Sequence, residues 1–597
     1  MPLLNRQDLD FILFDLLKAD QLPRYTRYAD HSADTFRQAI DTAEQIAERY
    51  FAPHNREGDS KEPWFDGEKV HTIPQVKEAF HHFIDAGLLN ARLSYEDGGM
   101  QLPATVTAAC SAFTTAANPS SAAYPFLTMA AANLIAHFAS EELQQIYLPL
   151  MRSGKATGTM ALTEPDVGSS LADLKTAATP TGEGHYLIHG QKMFISGGDH
   201  DLTDNIVHLV LARIKGAPAG VKGISLFLVP KWHVDESGNP KDRNDVALAG
   251  LLHKMGYRGT TSTVLNFGEK GQCVGYLIGQ PHQGLKYMFM MMNEARVGVG
   301  LGSAVIGYRG YVESLAYAKE RPQGRHPGTK DANSPPIPII EHADVKRMLL
   351  AQKTYAEGAL LLCLYGNRII DDIENTTDDE TRRNKQELLD LLTPIIKSWP
   401  SEFGCKANEL AIQVLGGSGY IREYPVEQCY RDNRLNPIHE GTHGIQALDL
   451  LGRKLWQNNS LGLQQLGAEM QRILGAARDL PALHSEAETL KKALQMTTTL
   501  VQTLGQQLQQ QGPDKTLSNA AVFLSFLGHV VVGGMWLWQA VTALEKQQQD
   551  PANTAFYQGK LHACRYFYRW EMPQLQHWNQ LLLSADDTCY SMQPDFF

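Results

Sequence analysis

The residues from His439 to His443 spell HEGTH, the H-E-x-x-H spacing of zinc peptidases. In such a site both histidines lie on one face of a continuous helix, and the glutamate activates a water molecule bound to the metal. Here Pro437 lies just before the motif and Gly441 lies inside it, so a regular helix is not expected. Thr442 is a suitable N-cap for a helix that begins after it. The sequence therefore predicts that Glu440 lies in a loop that ends at a helix N-terminus.

Other features also disfavour a zinc peptidase. The position expected for a third histidine holds Asp449, although Glu469 downstream leaves a variant with a carboxylate ligand open. The chain has 21 histidines, so the spacing can arise by chance. We therefore predict no metal and keep the zinc peptidase only as an alternative.

The familiar motifs for nucleotides and activated serines are missing from the sequence. GGSGY at 416–420 lacks the last glycine of a nucleophile elbow, and GVGLG at 298–302 lacks the GxGxxG spacing and lies in a helical pattern. Any nucleotide must be held in another way. Two segments at predicted strand ends are candidates, MALTEPDVGSS at 160–170 and GQKMFISGG at 190–198. Their hydroxyls and glycine-bearing backbone could meet a planar heterocycle or a pyrophosphate, or could serve only as turns.

The hydrophobic pattern changes along the chain. Helical spacing dominates residues 1–158, short apolar runs separated by Gly, Asp and Asn fill 159–283, helical spacing returns over 284–459, and further helical segments occupy 460–597. The pattern predicts an α+β protein that is mostly helical. It would comprise a helical domain with a lead segment, a small β domain, a second helical domain and an additional C-terminal helical module.

Composition restricts the function further. The 597 residues carry a net charge of -11, and residues 461–597 are slightly acidic as well, so a nucleic-acid partner is not expected. The seven cysteines are scattered without a CxxC pair, so neither a disulfide framework nor a thiolate metal site is predicted. The amino terminus lacks the pattern of a signal peptide. The expected location is the cytoplasm.

Residues 520–544 form an apolar stretch long enough to span a bilayer. His529 stands near its centre, and Gly533, Gly534 and Gln539 follow. We therefore expect a fully buried helix, with membrane contact as the lesser alternative.

The order of these segments resembles the acyl-CoA dehydrogenase family. TEPxxGS and GxKxFIS are followed by a long helix ending in AKERPQGR, and then by the run from Gln413 to Gln446, QVLGGSGYIREYPVEQCYRDNRLNPIHEGTHGIQ. This run carries the family's Q-x-x-G-G, E-Y-P-V-E, R-D and E-G-T elements in order. The resemblance covers roughly residues 35 to 455. The longer lead, an insertion around 231–247 and the module after 459 are similar to the large bacterial branch that includes methylmercaptopropionyl-CoA dehydrogenase and broad-range fatty acyl-CoA dehydrogenases.

The resemblance implies FAD as the cofactor, bound without a Rossmann fold. By the family pattern, the flavin or its pyrophosphate is lined by Leu162, Thr163, Gly168, Ser169 and Thr442. The residues implied behind the flavin ring are Phe194, Ile195 and Ser196. The adenosine and pyrophosphate of a neighbouring subunit's FAD are assigned to Arg321, Gln413, Gly416 and Gly417. This last assignment implies a homodimer or a larger homo-oligomer.

The resemblance also assigns a reaction. Glu440 matches the base that removes the α-proton of an acyl-CoA thioester while the β-hydrogen leaves as hydride to flavin N5, which gives the trans-2-enoyl-CoA. Because such a base needs a raised pKa, we predict that desolvation on substrate binding outweighs the helix N-terminus, which would lower the pKa of Glu440. Substrate contacts are implied for Ser169, Asn293, Arg296 and Gly441.

Related functions fit the same pattern. An acyl-CoA oxidase would share the fold and the base but pass electrons to oxygen, whereas a dehydrogenase is expected to pass them to an electron-transfer flavoprotein. A DNA-associated flavoprotein of the same fold would need a basic carboxy-terminal domain, which the acidic balance after residue 460 disfavours. The length and tail chemistry of the acyl chain depend on a pocket that the sequence does not specify.

Overall fold

The computed structural model describes residues 2–235, 237–331 and 333–597. The chain separates into two compact units. We call one the helical unit; it comprises Met1–Ala33, Pro103–Ala109 and Arg296–Phe597. We call the other the sheet unit; it comprises Asp34–Leu102 and Cys110–Ala295. The division into four domains stays a prediction.

α-Helices precede the main sheet, as the helical spacing of this region predicts. In the second helix, Phe36, Ile40 and Ala43 recur at helical spacing and are buried, which is typical of an amphipathic helix. The helices are α1 Arg6–Asp10, α2 Ala33–Ile46, α3 Asn55–Ser60, α4 Pro74–Asp85, α5 Ala104–Ala117, α6 Pro119–Phe138 and α7 Glu141–Arg152. The region also contains an antiparallel hairpin of β1 Trp64–Phe65 and β2 Val70–His71, which the sequence did not predict because strands this short show no alternation.

The main sheet lies in the sheet unit, and its strands have the order β10-β11-β5-β12-β7-β6-β3, with β4 beside β5 and β6. Neighbouring strands are antiparallel, except that β3 and β4 run parallel to β6. The strands are β3 Ala156–Ala161, β4 Ala177–Pro180, β5 Tyr186–Ser196, β6 Asn205–Ile214, β7 Ile224–Pro230, β10 Val246–Leu251, β11 Ser262–Phe267 and β12 Val274–Leu277. β7 is buried along its whole length, as its continuous apolar run predicts. The insertion around 231–247 forms a separate two-stranded sheet of β8 Trp232–Val234 and β9 Pro240–Arg243.

Long helices follow the sheet. These are α8 Gly284–Glu320, α9 Ala343–Asn375 and α10 Asp379–Leu415, and the shorter α11 Val426–Asn433 and α12 His443–Gly452 come next. α9 and α10 pack against each other within the helical unit. The C-terminal module contains α13 Leu461–Ala477, α14 His484–Gln511, α15 Pro513–Leu517, α16 Ala520–Gln549, α17 Thr554–Tyr566, α18 Gln574–Leu583 and α19 Thr588–Ser591.

α16 carries the apolar stretch that was expected to be buried, and the structure confirms its burial. Among the described residues it is the one helix long and apolar enough to cross a membrane, but 83% of its most apolar window lies inside the protein. A Cβ added at Gly528 would lie 2.7 Å from Trp399 Cδ1, and one added at Gly534 would lie 2.3 Å from Met470 Sδ. These glycines therefore allow close contacts with α10 and α13, and α16 joins the C-terminal module to the helices before it.

Candidate active site

Glu440 lies in the loop between α11 and α12. Thr442 caps α12, because its Oγ1 accepts a hydrogen bond from the Ile445 N–H at 3.3 Å, and this confirms the predicted start of the helix. Glu440 and Gly441 both have positive φ, 53° and 86°, so HEGTH is not a continuous helix. Gln446 Nε2 donates to the Glu440 carbonyl at 3.3 Å and fixes this unusual backbone. The helical frame of a zinc peptidase is not formed here.

The two histidines of the motif contact other groups. His439 Nε2 lies 3.1 Å from Asn436 Oδ1, and His443 Nε2 lies 3.6 Å from a carboxylate oxygen of Glu402. Burial lowers the pKa of both imidazoles, that of His439 to about 3. In the part of the chain that the structure describes, no group of three or more His, Cys, Asp or Glu side chains is arranged to hold a metal ion.

Two basic residues act electrostatically on the Glu440 carboxylate, Arg296 from α8 and, to a smaller extent, Lys397 from α10. Glu440 keeps some exposure to solvent. Burial nevertheless raises its pKa above the usual 4.5, while Arg296 and Lys397 oppose this rise. The predicted effect of substrate binding on this pKa stays a prediction. Asn293, the other substrate residue predicted on α8, is partly buried. Arg296 is buried, and its guanidinium lies 3.9 Å from Asp449.

The sequence did not predict a role for Lys397, which anchors the backbone before Glu440. Its ammonium is fully buried and donates to the Asn436 carbonyl at 2.8 Å. Asn436 Nδ2 donates to Asn433 Oδ1 at 2.9 Å, and Asn433 Nδ2 donates to Asn408 Oδ1 at 2.7 Å and to the Ser303 carbonyl at 3.1 Å. Polar groups from α8, α10 and α11 thus hold this backbone. A lone lysine in the apolar run PIIKSWP was the signal that could have revealed Lys397.

A buried ion pair shapes the first of the two strand-end loops, which is in the sheet unit. Lys192 Nζ donates to the Glu164 carboxylate and to the Leu162 carbonyl, each at 2.9 Å. Glu164 also accepts from the Thr176 N–H at 2.9 Å. Burial lowers the pKa of Lys192 to about 8, which Glu164 opposes. The pKa of Glu164 is lowered as well, because the charge of Lys192 and the hydrogen bonds together outweigh the effect of burial.

The end of β5 lies beside this loop, because the Met193 N–H donates to the Thr163 carbonyl at 2.9 Å. Phe194 has a φ of 59° and its side chain is 61% exposed, whereas Ile195 is buried. Ser196 is partly exposed. Of the other predicted contacts in the sheet unit, Gly168 and Ser169 are exposed. The structure therefore brings the backbone of Leu162 and Thr163 next to the end of β5, where the side chain of Phe194 is exposed.

The residues predicted to hold a neighbouring subunit's adenosine and pyrophosphate are exposed in the helical unit: Arg321, Gln413, Gly416 and Gly417. They lie just beyond the end of α8 and around the end of α10, and the Tyr317 hydroxyl connects these two helix ends by donating to Ser418 Oγ at 3.2 Å. Gly416 has a φ of 59°, and a Cβ added at Gly416 or Gly417 would meet no atom within 4 Å. Exposed glycine backbone of this kind lets a phosphate approach closely.

Family models for the acyl-CoA dehydrogenases match most of the chain. The N-terminal domain matches residues 33–155, the middle domain 159–269 and the C-terminal domain 282–455. The model described as "Acetyl-CoA dehydrogenase C-terminal like" matches 466–593. The C-terminal module thus has counterparts in other proteins.

Individual relatives cover nearly the whole length. The chain is 33% identical over 573 residues to 3-methylmercaptopropionyl-CoA dehydrogenase of Ruegeria pomeroyi, with 94% of each chain covered. It is 32% identical over 601 residues to the broad-specificity linear acyl-CoA dehydrogenase FadE5 of Mycobacterium tuberculosis, covering 98% of this chain and 97% of the relative.

Among solved structures, an acyl-CoA dehydrogenase of Bacillus anthracis complexed with FAD has a TM-score of 0.75 at 20% identity, covering 96% of this chain and 91% of that one. ACDH-11 of Caenorhabditis elegans, solved with C11-CoA, also has a TM-score of 0.75 at 20% identity, covering 97% and 96%. The predicted fold class and the resemblance are thereby confirmed. The chain belongs to the acyl-CoA dehydrogenase family of FAD-dependent oxidoreductases.

Proposed function

We propose that the chain oxidises an acyl-CoA thioester to the trans-2-enoyl-CoA, with Glu440 as the base that removes the α-proton. Family membership supports the dehydrogenation of an acyl-CoA. The observation that carries the assignment of the base is the Glu440 carboxylate itself, held on a fixed loop with a pKa raised by burial. A raised pKa suits this task, because the α-proton of a thioester is only weakly acidic and a stronger base accepts it more readily.

The surroundings of Glu440 fit the rest of the proton transfer. The positive charge of Arg296 and, to a smaller extent, that of Lys397 stabilise the ionised carboxylate that accepts a proton. Burial lowers the pKa of Lys397 to about 7, so its contribution is largest below that pH. When the carboxyl is protonated, its negative charge is lost and these interactions weaken. The same two cations therefore favour return of the base to its ionised state after each turnover.

The residues of the two strand-end loops fit FAD. The exposed ring of Phe194 offers a flat surface, and the hydroxyls of Thr163 and Ser196 offer polar partners for a heterocycle. When bound, FAD supplies the acceptor for the β-hydrogen as hydride. We assign the flavin contacts to Leu162, Thr163, Gly168, Ser169, Phe194, Ile195, Ser196 and Thr442.

The exposed residues beyond α8 and around the end of α10 suggest an oligomer. We assign Arg321, Gln413, Gly416 and Gly417 to the adenosine and pyrophosphate of a neighbouring subunit's FAD, which requires at least a homodimer. Exposed glycine backbone and one arginine supply N–H groups and a positive charge, the groups that a pyrophosphate needs. Sedimentation of the FAD-loaded protein should give the mass of a dimer or a larger oligomer, and a monomer with full FAD content would contradict this assignment.

The substrate contacts are assigned to Ser169, Asn293, Arg296 and Gly441. The two electrons must then leave the enzyme, and an electron-transfer flavoprotein is the proposed acceptor, with oxygen as the alternative. Reduction of an electron-transfer flavoprotein without oxygen consumption is expected during turnover. Stoichiometric consumption of oxygen would instead identify an acyl-CoA oxidase.

The substitution Glu440→Gln tests the base. The variant should retain the yellow colour of bound FAD but bleach with acyl-CoA substrates about 10²–10⁴ times more slowly, because general-base catalysis contributes an effect of this size. Glu469→Gln is the matched control, since Glu469 pairs with Arg472 at 3.0 Å on α13 and should not affect turnover. Near-wild-type bleaching of the Glu440→Gln variant with a panel of acyl-CoAs would show that the base lies elsewhere.

The proposed location is the cytoplasm. All seven cysteines are free, which suits a reducing compartment. Fractionation of cells that produce the full chain should recover the flavin-bound protein with cytoplasmic markers.

A further inference from the structure

Lys397 occupies an unusual position for a lysine. It lies in the middle of α10, between Pro394 and Pro400, and its side chain is fully buried. Buried lysines are ordinarily paired with a carboxylate, because an isolated ammonium loses its hydration. Here the hydrogen bond runs to the backbone carbonyl of Asn436 at 2.8 Å. Burial lowers the pKa of Lys397 to about 7, and the charge of the nearby Glu440 carboxylate opposes this lowering, so the ammonium form predominates below about pH 7.

We infer that Lys397 is a positioning residue for the base: its ammonium holds the backbone before Glu440 and places a positive charge beside the Glu440 carboxylate. This inference rests on the proposed role of Glu440. The hydrogen bond acts on the shape of the loop, and the charge acts on the fraction of Glu440 that is ionised. Lys397 would therefore affect both the geometry of proton removal and its pH dependence.

The charges around this pair decide how much Lys397 matters. Arg296 is the other cation that acts on Glu440. Asp449 on α12 lies 3.9 Å from its guanidinium, but Asp449 also accepts from Arg453 at 2.7 Å, so it offsets the Arg296 charge only in part. His439 on the same loop has a pKa of about 3, lowered mainly by burial and further by Lys397, so it carries no charge near neutral pH. Arg296 therefore contributes the larger positive charge near Glu440, and Lys397 adds a second one.

Another histidine and its partners complete the surroundings. Burial is the main cause that lowers the pKa of His443, and Lys397 and Lys406 lower it further while Glu402 opposes them. Glu402 and Lys406 pair with each other at 2.8 Å. Their opposite charges largely cancel at the distance of Glu440. Removal of Lys397 should consequently raise the pKa of Glu440.

The test compares the substitutions Lys397→Met and Lys397→Arg in the FAD-loaded full chain. Methionine has a similar length but no charge, so the acid limb of kcat/KM against pH should move upward by about one pH unit. Arginine keeps the charge and should leave the limb near its wild-type position. Lys406→Met is the matched control, because Lys406 lies on the same helix but is exposed and paired with Glu402. It should not move the limb.

Each outcome decides the inference. An unchanged acid limb in a folded, yellow Lys397→Met variant would overturn it, since a purely structural lysine would alter stability and not the profile. If neither Lys397→Met nor Lys397→Gln yields folded, flavin-bound protein, the lysine serves the fold and the inference is also overturned. Glu440→Gln separates the two proposals: retained turnover in that variant removes the proposed base, whereas lost turnover with an unchanged Lys397→Met profile removes only the role of Lys397.

Discussion

Asp8 and Lys560, which are 552 residues apart in the sequence, form a buried ion pair in the helical unit. Lys560 Nζ also donates to Glu357 at 2.8 Å and to Gln539 Oε1 at 2.9 Å. The Tyr308 hydroxyl donates to the second Asp8 oxygen at 3.0 Å. The lead segment and the C-terminal module are thus connected to the central helices through one buried ammonium.

The substitution Lys560→Met should destabilise the protein strongly. It leaves the carboxylates of Asp8 and Glu357 buried with less positive charge, and breaking a buried pair in this way costs about 3–5 kcal/mol. Lys515→Met is the control, because Lys515 pairs with Asp587 at 2.9 Å on the surface and should cost about 1 kcal/mol or less. Denaturant unfolding followed by tryptophan fluorescence measures both variants. Equal unfolding midpoints for the two would show that the buried pair contributes no more than a surface pair.

Gly441 has no room for a side chain. A Cβ at this position would lie 2.4 Å from Gln446 Nε2, the group that donates to the Glu440 carbonyl. The φ of Gly441, 86°, is also unfavourable for residues other than glycine. We expect Gly441→Ala to displace the base and lower kcat by at least about tenfold, because small misplacements of a reacting group are costly. Gly444→Ala is the matched control, since a Cβ there meets no atom within 4 Å. Stopped-flow reduction by acyl-CoA measures both variants, and similar rates would contradict the expected displacement.

Some features of the candidate site can be predicted from the sequence, and others cannot. The N-cap Thr442, the break of the helix at Gly441 and the apolar runs of the sheet follow from residues close together in the chain. The bond from Lys397 to Asn436 joins residues 39 apart and depends on how α10 meets the loop, so no local pattern predicts it. Lys560 and Asp8 are 552 residues apart, so no local sequence pattern predicts their pairing either.

The fold also has some features that the sequence predicts and others that it does not. Short apolar runs predicted strands in the region of the sheet, but the parallel pairing of β3 and β4 with β6 could not be predicted, because strand order depends on contacts between distant segments. β10 was hidden in the stretch LAGL, which lies beside the insertion and shows no clear alternation. Burial of α16 was predictable because a histidine at the centre of the helix is costly in lipid.

The activity of the wild-type enzyme should depend on pH through Glu440. Only the ionised carboxylate accepts the α-proton, so kcat/KM should fall about tenfold per pH unit below the pKa of this group. Because burial raises that pKa above 4.5, the limb should lie above pH 4.5. Steady-state rates between pH 4.5 and 8, with flavin absorbance as a check on bound cofactor, measure the limb. A rate that stays constant down to pH 4.5 would contradict the raised pKa.

The buried pair of Lys192 and Glu164 should govern the retention of FAD. The side chain of Glu164 is only 5% exposed, and Lys192→Met removes the cation that pairs with its buried carboxylate. The Leu162 carbonyl also loses the hydrogen bond that fixes the loop. We expect the Kd for FAD to rise about tenfold or more, which corresponds to about 1.4 kcal/mol.

Lys175→Met is the matched control for this substitution, because Lys175 pairs with Asp166 at 2.9 Å in the same region but is 73% exposed. Its loss should leave the Kd within about twofold, since exposed pairs contribute little. Titration of each apo-protein with FAD, followed by quenching of flavin fluorescence, compares the two variants. Equal affinities would show that the loop keeps its shape without the buried lysine. The flavin contacts assigned to Leu162 and Thr163 would then have to be held in place only by the pairing of β5 with its neighbouring strands.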